Sequence, residues 1–232
     1  MEQAVILCGG LGTRLRPLTD KTPKSMMPIG SRPFLELLVL HFKKQGINKF
    51  VFCSGHLHEQ VEAHFGEGGK LGVHIIHSVE PEPLGTGGAL LIAKPYLDRQ
   101  FFVAYGDSLL NVNVLSLASI FKNNNALGVI TAYDNHEKIA ENNVRLDDSG
   151  RVLAYDKMKT APGMNAVEAG VSLLDRSVLE LAEGKKFSLE TDIFPKLINN
   201  GRLFGLLTPQ RFYDIGTPEG LELAEVMLND LG

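Results

Sequence analysis

Tryptophan is absent from this 232-residue chain, and cysteine occurs only twice. Cys8 and Cys53 each lie at the end of an apolar, strand-like run, and their spacing matches no metal-binding motif. A disulfide framework and a cysteine-rich zinc site are therefore excluded. We expect two reduced thiols, both buried in the core.

Long hydrophobic runs are also missing. No apolar segment approaches the roughly 18 residues that a membrane-spanning helix needs, and no basic region precedes an apolar stretch at the amino terminus, as it would in a secretory signal. Aromatic residues make up 7% of the chain and do not alternate with basic ones, as they do in single-strand-binding proteins. We therefore predict a cytoplasmic protein with neither a membrane nor a nucleic-acid partner.

The overall composition is that of a soluble globular protein, with 44% hydrophobic and 22% charged residues. A chain of this length can bury a full hydrophobic core in one compact unit. The sequence contains no repeat, low-complexity tract or linker. We predict a single domain over residues 1–232, and these properties are also compatible with a homo-oligomer.

The most informative segment is at the start of the chain. An apolar run at residues 4–7 leads into a loop with three glycines, and cationic side chains follow at once. Residues 11–24 hold two Arg and two Lys against one Asp, a charge of +3, whereas the whole chain carries −4 and the remainder therefore −7. Glycine loops let backbone N–H groups approach an anion closely. The segment therefore predicts a phosphate-binding loop.

Two common phosphate-binding loops do not match this spacing. A P-loop needs Gly-x-x-x-x-Gly-Lys-Ser/Thr, and no Lys-Ser or Lys-Thr here follows such a frame. The dinucleotide fingerprint needs a third glycine where Leu15 stands. Pro17 and Pro23 also disfavour a long helix directly after the loop. An extended loop that runs to about Pro33 is predicted instead.

The order Gly-Gly-x-Gly-Thr-Arg-Leu-x-Pro-Leu-Thr, followed by Pro-Lys, resembles the sugar-1-phosphate nucleotidylyltransferases. The competing interpretation is a plain glycine turn with solvated arginines. Nucleotidyl transfer needs positive charge on a triphosphate and its leaving pyrophosphate, and Arg14 and Lys24 are the candidates for that catalytic charge. The resemblance implies that the loop binds the nucleotide through Leu7, Gly9, Gly10, Gly12 and Thr13.

Strand and helix patterns alternate along the first half of the chain, which argues for a mostly parallel sheet with helices on both faces. Strands are predicted at residues 3–8, 49–53, 73–77, 101–105, 128–133, 143–146, 152–157 and 167–174. Helices are predicted from Phe34 to before Gly46, after a capping Ser54, around 89–93, at 190–199, and at 217–230 with Thr217 as the N-cap. The fold class is α/β, a three-layer Rossmann-like mixed sheet, and the resemblance implies the nucleotidyltransferase type.

Two aspartates are candidate metal ligands. Asp107 follows an apolar strand, at the end where ligands gather in open α/β sheets. The resemblance pairs it with Asp214 in Phe-Tyr-Asp-Ile-Gly-Thr-Pro and implies Mg²⁺ as the cofactor. Each aspartate alone is equally explained as a turn or cap carboxylate. His56, His58 and His64 could also be considered as a metal cluster, but no Cys or further ligand lies at a suitable spacing from them. Packing or surface positions are therefore expected for these histidines.

A third matching block runs from Glu80 to Ala89. In the family it lies under the nucleobase, which implies that Glu80, Gly85 and Thr86 bind the nucleotide. A carboxylate at Glu80 can accept hydrogen bonds from both the N1–H and the 2-amino group of guanine, whereas uracil and thymine offer one such donor. This favours GTP. Uridylyltransferases of the family can also carry Glu here, and an exposed loop glutamate is the third alternative.

The candidate residues for the sugar phosphate follow from the resemblance. Lys157, in Tyr-Asp-Lys at a predicted strand end, is implied to contact the phosphate, with a solvated lysine as the alternative. Asn143, Glu168 and Gly170 align with positions that contact sugar hydroxyls. The family commonly has Asn where Glu168 stands, and Ala where Cys8 stands.

The short form of the chain most resembles the guanylyltransferases for D-glycero-α-D-manno-heptose 1-phosphate and mannose 1-phosphate. The expected reaction joins GTP and heptose 1-phosphate, both partners of the protein, to give a nucleotide sugar and pyrophosphate. One alternative is a uridylyltransferase for a hexose or amino-sugar 1-phosphate. A second is a non-catalytic nucleotide-sugar sensor or subunit, although such a protein typically lacks the cationic or metal-binding groups.

Overall fold

The computed structural model describes residues 1–158 and 161–228. Thirteen strands are found in these ranges: β1 Gln3–Leu7, β2 Pro28–Ile29, β3 Arg32–Pro33, β4 Lys49–Ser54, β5 His74–Val79, β6 Gln100–Tyr105, β7 Ser108–Leu110, β8 Gly128–Tyr133, β9 Val144–Leu146, β10 Val152–Tyr155, β11 Val167–Asp175, β12 Leu203–Thr208 and β13 Phe212–Asp214. The α-helices found there are α1 Phe34–Lys44, α2 His58–Phe65, α3 Gly85–Ala93, α4 Val114–Asn123, α5 Phe194–Asn199 and α6 Pro218–Leu228.

Seven strands form the central sheet, in the order β12-β8-β11-β6-β1-β4-β5. Four of its six pairings are parallel, and only β11 runs against its neighbours β6 and β8. The carboxyl ends of β1, β4 and β6 therefore meet at one edge, where Leu7 is in register with Cys53 and Tyr105. The predicted mostly parallel mixed sheet is confirmed, and this edge is where ligands bind in open α/β folds.

The sheet separates two apolar cores, because neighbouring residues of a strand point to opposite faces. On β1, Ala4 and Ile6 pack with α1, α2, α4 and α6, whereas Val5 packs with α3 and α5 on the other face. The side chains of Ala4, Val5 and Ile6 are all fully buried. The three layers that the sequence predicts are therefore present.

Two small antiparallel ribbons extend the edge of the sheet at which the carboxyl ends of β1, β4 and β6 meet. The strands β9 and β10, where the sequence predicts two strands, pair as a hairpin whose turn contains Asp147, and the carboxylate of Asp147 accepts the N–H groups of Ser149 and Arg151. A second ribbon pairs β7 with β13, so Asp214 lies directly opposite Ser108. The second pairing joins segments about a hundred residues apart in the chain, which the sequence pattern alone does not reveal.

Some local predictions are corrected by the structure. The segment after the glycine loop is not simply extended but contains 3-10 turns at Thr13–Leu15, Leu18–Asp20 and Lys24–Met26. Ser54 does not cap α2; it ends β4, and its buried hydroxyl has no partner, since α2 starts only after the left-handed residue Leu57.

The two late helices also differ in detail from the prediction. The predicted helix at 190–199 begins as a π-helical turn, Leu189–Ile193, before α5. The predicted cap of α6 is confirmed, because Thr217 Oγ1 accepts the N–H of Gly220 at 3.1 Å. Residues 229 and 230 of that predicted helix lie outside the described residues.

Candidate active site

A cleft of about 260 Å³ opens at the carboxyl ends of β1, β4 and β6. It brings together residues that are far apart in the sequence. Those lining it are Leu7, Cys8, Gly9, Gly10, Lys24, Ser25, Cys53, Glu80, Pro83, Gly85, Thr86, Ala89, Tyr105, Gly106 and Asp107.

The glycine loop forms one wall of this cleft. Gly9 and Gly10 line it directly. Gly12 has φ +60°, and an added Cβ there would lie 2.8 Å from a methyl carbon of Thr19. Thr19 in turn donates its hydroxyl to the carbonyl of Gly12 at 2.8 Å, which closes the loop. The conformation of the loop therefore depends on Gly12. Thr13 is exposed to solvent and is not among the residues that line the cleft.

The two candidate metal ligands come together at one lysine. Lys24 Nζ lies 2.5 Å from Asp107 Oδ2 and 3.8 Å from Asp214 Oδ1. The N–H of Ile215 donates to the carbonyl of Asp107 at 2.9 Å, which continues the β7–β13 ribbon up to both aspartates. The lysine side chain is 10% exposed, so its pairing takes place largely out of solvent.

Arg14 approaches the same point. A Cβ added to Gly216 would lie 2.6 Å from Arg14 Nη2, 2.7 Å from Asp214 Oδ1 and 2.8 Å from Lys24 Nζ. The absence of a side chain at Gly216 therefore lets the two cations and this carboxylate converge. The structure thus places Arg14, Lys24, Asp107 and Asp214 together beside the glycine loop.

The electrostatics of this cluster suit a divalent cation. Burial raises the pKa of Asp214 and the nearby charge of Asp107 raises it further, while Lys24, the Gly216 N–H and Arg14 oppose that rise. Two hard oxygen ligands with mutual repulsion fit Mg²⁺, which is commonly held by one or two carboxylates together with substrate phosphates. In residues 1–158 and 161–228 no three His, Cys, Asp or Glu side chains cluster around a possible metal position.

Glu80 lines the cleft directly beside the glycine loop. Its Oε2 accepts the N–H of Leu84 at 3.1 Å, and its own N–H donates to the carbonyl of Ser54 at 2.8 Å. A Cβ on Gly9 would lie 2.7 Å from Glu80 Oε1, so the carboxylate rests against the glycine loop. Burial raises the pKa of Glu80, and the Leu84 N–H opposes this.

The amino terminus of α3 borders the cleft next to Glu80. Gly85 has φ +81°, and a Cβ there would lie 2.6 Å from the carbonyl oxygen of Phe187. The Thr86 hydroxyl donates to Glu190 Oε2 at 2.8 Å and accepts the N–H of Leu189 at 2.9 Å. The predicted nucleotide residues Gly85 and Thr86 are therefore held against the segment that leads into α5.

A second cleft adjoins the first and shares Tyr105 with it. Three of the predicted sugar-contacting residues line it, namely Asn143, Glu168 and Gly170, together with Asp214. Asn143 is buried, and its Oδ1 accepts the N–H of Glu168 at 2.8 Å. Asp214 therefore belongs both to the aspartate pair and to the lining of the second cleft.

Glu168 is held in an unusual state for a carboxyl group. Burial raises its pKa to about 8, and the negative charges of Glu190 and Asp107 add to this rise, while the Gly170 N–H and Lys157 oppose it. The Gly170 N–H donates to Glu168 Oε1 at 2.8 Å, in a part of β11 where the register shifts and Gly170 has φ +89°. At neutral pH the carboxyl group is therefore mostly protonated.

The structure adds Glu190, which the sequence analysis did not identify. Its carboxylate contacts Thr86, Tyr105, Ser188 and Lys157. Neither Lys157 nor Glu190 is among the described residues that line either cleft, but Glu190 connects Lys157 to the cleft-lining residues Thr86 and Tyr105. In the sequence Glu190 is one acidic residue within a helical pattern, and no motif distinguishes it from a solvated one.

The thiols and histidines behave largely as expected. Cys8 and Cys53 are both free and buried. Burial raises the pKa of Cys8 to about 12, so little reactive thiolate forms at neutral pH. His58 pairs with Glu62 on α2, and His64 pairs with Glu36 and packs against Phe65, in agreement with packing and surface positions.

The nucleotidyl transferase family model matches residues 3–230. The chain is 30% identical to the D-glycero-alpha-D-manno-heptose 1-phosphate guanylyltransferase of Aneurinibacillus thermoaerophilus, over 96% of both proteins. It is 32% identical to the mannose-1-phosphate guanylyltransferase of Mycobacterium tuberculosis, where the match covers 93% of this chain but 61% of that longer protein.

Among solved structures, HddC from Yersinia pseudotuberculosis complexed with GMP-PN superimposes with a TM-score of 0.83 at 26% identity. The match covers 97% of this chain and 99% of that one. In the described ranges no helix has the length and apolar character needed to cross a membrane. The chain belongs to the nucleotidyl transferase family, among its sugar-1-phosphate nucleotidyltransferases.

Proposed function

We propose that the protein transfers a guanylyl group from GTP to a sugar 1-phosphate with the help of Mg²⁺. Heptose 1-phosphate is the favoured acceptor, and the products are a GDP-sugar and pyrophosphate. One observation carries this proposal: Asp107 and Asp214, far apart in the chain, meet at Lys24 beside the glycine loop.

The acceptor phosphate oxygen attacks the α-phosphorus of GTP, and the bond to the pyrophosphate oxygen breaks. The attacking oxygen is already anionic, so no general base is needed, and catalysis depends on alignment and on compensating charge. Asp107 and Asp214 would hold Mg²⁺, which when bound neutralises charge on the reacting phosphates.

Each cationic side chain has a distinct position relative to the triphosphate. Lys24 is buried beside Gly12, lines the same cleft as Gly9 and Gly10, and would contact the phosphates directly. Arg14 is exposed and would reach the leaving pyrophosphate from the cleft entrance. The backbone N–H groups of the loop add neutral donors, which suits an anion that must leave again.

The preference for guanine rests on Glu80. Its Oε2 is already bound by the Leu84 N–H, which fixes the carboxylate, and Oε1 remains beside Gly9. Two adjacent donors on guanine can satisfy one carboxylate, and uracil cannot do this. The guanylyltransferase names of the relatives support the same assignment.

The acceptor would occupy the second cleft. Lys157 would contact its phosphate, and Asn143, Glu168 and the backbone of Gly170 would contact its hydroxyls. A protonated Glu168 can donate as well as accept a hydrogen bond, so it can serve where the family commonly has the amide of Asn.

The test is pyrophosphate release from GTP, UTP, ATP and CTP, each with heptose, mannose and glucose 1-phosphate and Mg²⁺. GTP with heptose 1-phosphate should give the highest kcat/KM. A faster reaction with UTP for every acceptor would contradict the guanine assignment and favour the uridylyltransferase. Binding of GTP with Mg²⁺, but no pyrophosphate release with any acceptor, would instead favour a nucleotide-sugar sensor.

A further inference from the structure

Glu190 is a buried carboxylate that contacts Tyr105, the residue shared by the two clefts. It is 4% exposed and lies in the π-helical turn Leu189–Ile193, a backbone form that is frequent at functional sites. The proposed binding of nucleotide and sugar phosphate does not involve this residue.

Four side chains donate to this carboxylate, and two of them, Thr86 and Tyr105, line the clefts. The Thr86 hydroxyl, from the nucleotide side, donates to Oε2 at 2.8 Å. Lys157 Nζ, from the acceptor side, donates to the same oxygen at 3.3 Å. The Ser188 hydroxyl also donates to Oε2, and the Tyr105 hydroxyl, from the end of β6, donates to Oε1.

The carboxylate stays ionised despite its burial. Burial alone would raise the pKa of Glu190, but the hydrogen bonds from Ser188 and Tyr105 and the charge of Lys157 outweigh it, and the pKa is lowered. The donors also differ in freedom: the Lys157 side chain is half-exposed, whereas the hydroxyls of Thr86, Tyr105 and Ser188 are held by the fold. Glu190 thus remains satisfied by three hydroxyls even when the ammonium group also serves a ligand.

A lysine at the edge of a cleft has many accessible rotamers, and one fixed partner restricts them. Its ammonium group has three donors, and among residues 1–158 and 161–228 Glu190 accepts one of them, which leaves two that can bind a phosphate. The nearby Glu168 is largely neutral and competes weakly for the ammonium.

We propose that Glu190 is the positioning residue that holds Lys157 ready for the phosphate of the incoming sugar 1-phosphate. The proposal rests on the guanylyl-transfer function above and deepens its acceptor site. Because Thr86 shares the same carboxylate oxygen, the nucleotide and acceptor sites are fixed to one common point.

A double-mutant cycle tests this role. Glu190→Gln removes the charge and keeps the size, while Lys157→Met removes the ammonium and keeps most of the stem. We expect E190Q to raise the KM for heptose 1-phosphate about tenfold, within the range of measured couplings between contacting residues. Its KM for GTP should change less than about threefold, because hydroxyls can rotate to serve an amide. In the K157M background E190Q should add less than about twofold.

Glu183→Gln is the matched control. Glu183 also pairs with a lysine, Lys196, at 2.7 Å, but its side chain is 88% exposed and lines neither cleft. E183Q should leave both KM values unchanged. If E190Q no longer unfolds cooperatively, Ser188→Ala is used in its place, since the Ser188 hydroxyl donates to Oε2 of Glu190. We then expect about a threefold rise in the acceptor KM with Lys157 present and none in K157M.

Equal effects of E190Q with and without Lys157 would overturn the proposal, as would a rise confined to the KM for GTP. Either result leaves the proposed function intact, because the wild-type protein would still release pyrophosphate. A wild-type protein that releases none with any pair of substrates would instead refute the function, and the inference with it.

Discussion

The nucleotide side and the acceptor side of the site are built differently. The first cleft, on the nucleotide side, takes most of its lining from two segments, residues 7–10 at the end of β1 and residues 80–89 at the turn into α3, and four of its lining residues are glycines. The second cleft, on the acceptor side, is lined mainly by residues 167–170 of β11 and residues 211–214 around β13, while the candidate residues Asn143 and Lys157 lie on either side of the β9–β10 hairpin. Backbone contacts require short glycine-rich motifs, whereas side-chain contacts require only that distant residues meet. Substitutions on each side, and where the two sides meet, test this difference.

The largest effect is expected where the two sides meet. Asp107→Asn and Lys24→Ala should each lower kcat for pyrophosphate release by about a hundredfold or more, the scale of losing an electrostatic group at a charged transition state. Steady-state assays of both variants, with E183Q as a control, provide the measurement. A near-normal rate in either variant removes that residue from the mechanism.

Gly216→Ala probes the open space in the same cluster. The added Cβ would meet Arg14, Lys24 and Asp214 within 2.8 Å, and these side chains would have to move. We expect kcat to fall about tenfold, since small displacements of catalytic groups carry large rate costs. Gly69→Ala is the control, because nothing lies within 4 Å of its Cβ position. An equal loss in both variants, or a collapse in the thermal stability of G216A, would contradict this explanation.

The acceptor side should be sensitive to pH through Glu168. Its pKa of about 8 means that the carboxyl group is neutral below pH 8 and becomes a carboxylate as the pH rises through that value. A new negative charge repels the acceptor phosphate, so the KM for heptose 1-phosphate should rise about fivefold between pH 7 and 9. Glu168→Gln should flatten this dependence, with the KM for GTP followed as the internal control. If the KM of E168Q for heptose 1-phosphate depends on pH as that of the wild type does, a group other than Glu168 causes the pH dependence.

The smallest effect is expected at Cys8. Its thiol is buried and donates to the carbonyl of Cys53 at 3.4 Å, and its raised pKa keeps it protonated. Cys8→Ala should change kcat/KM less than about twofold, since a volume change of one sulfur atom is small. Rapid inactivation by iodoacetamide at pH 7 in wild type, but not in C8A, would show that the thiol is accessible after all.

The difference between the two sides also explains what the sequence could predict. The glycine loop, the parallel sheet and the cap of α6 depend on local spacing, and each was predicted in the right place. The meeting of Asp107 with Asp214 was implied by resemblance alone, because it depends on the long-range β7–β13 pairing. Glu190 was missed because its role depends on partners up to 104 residues away and on a π-helical turn within a helical pattern. Ser54 was misassigned because β4 runs one residue beyond its apolar stretch.

The reversed direction of β11 has a consequence for engineering. Since it opposes β6 and β8, it brings its first residues, rather than its last, to the edge where the parallel strands finish. The chain that precedes β11 includes the β9–β10 hairpin, and neither hairpin strand pairs with β1, β4 or β6. Hairpins of altered length or sequence could thus be grafted at this point to change which sugar is accepted, while the glycine loop keeps its shape.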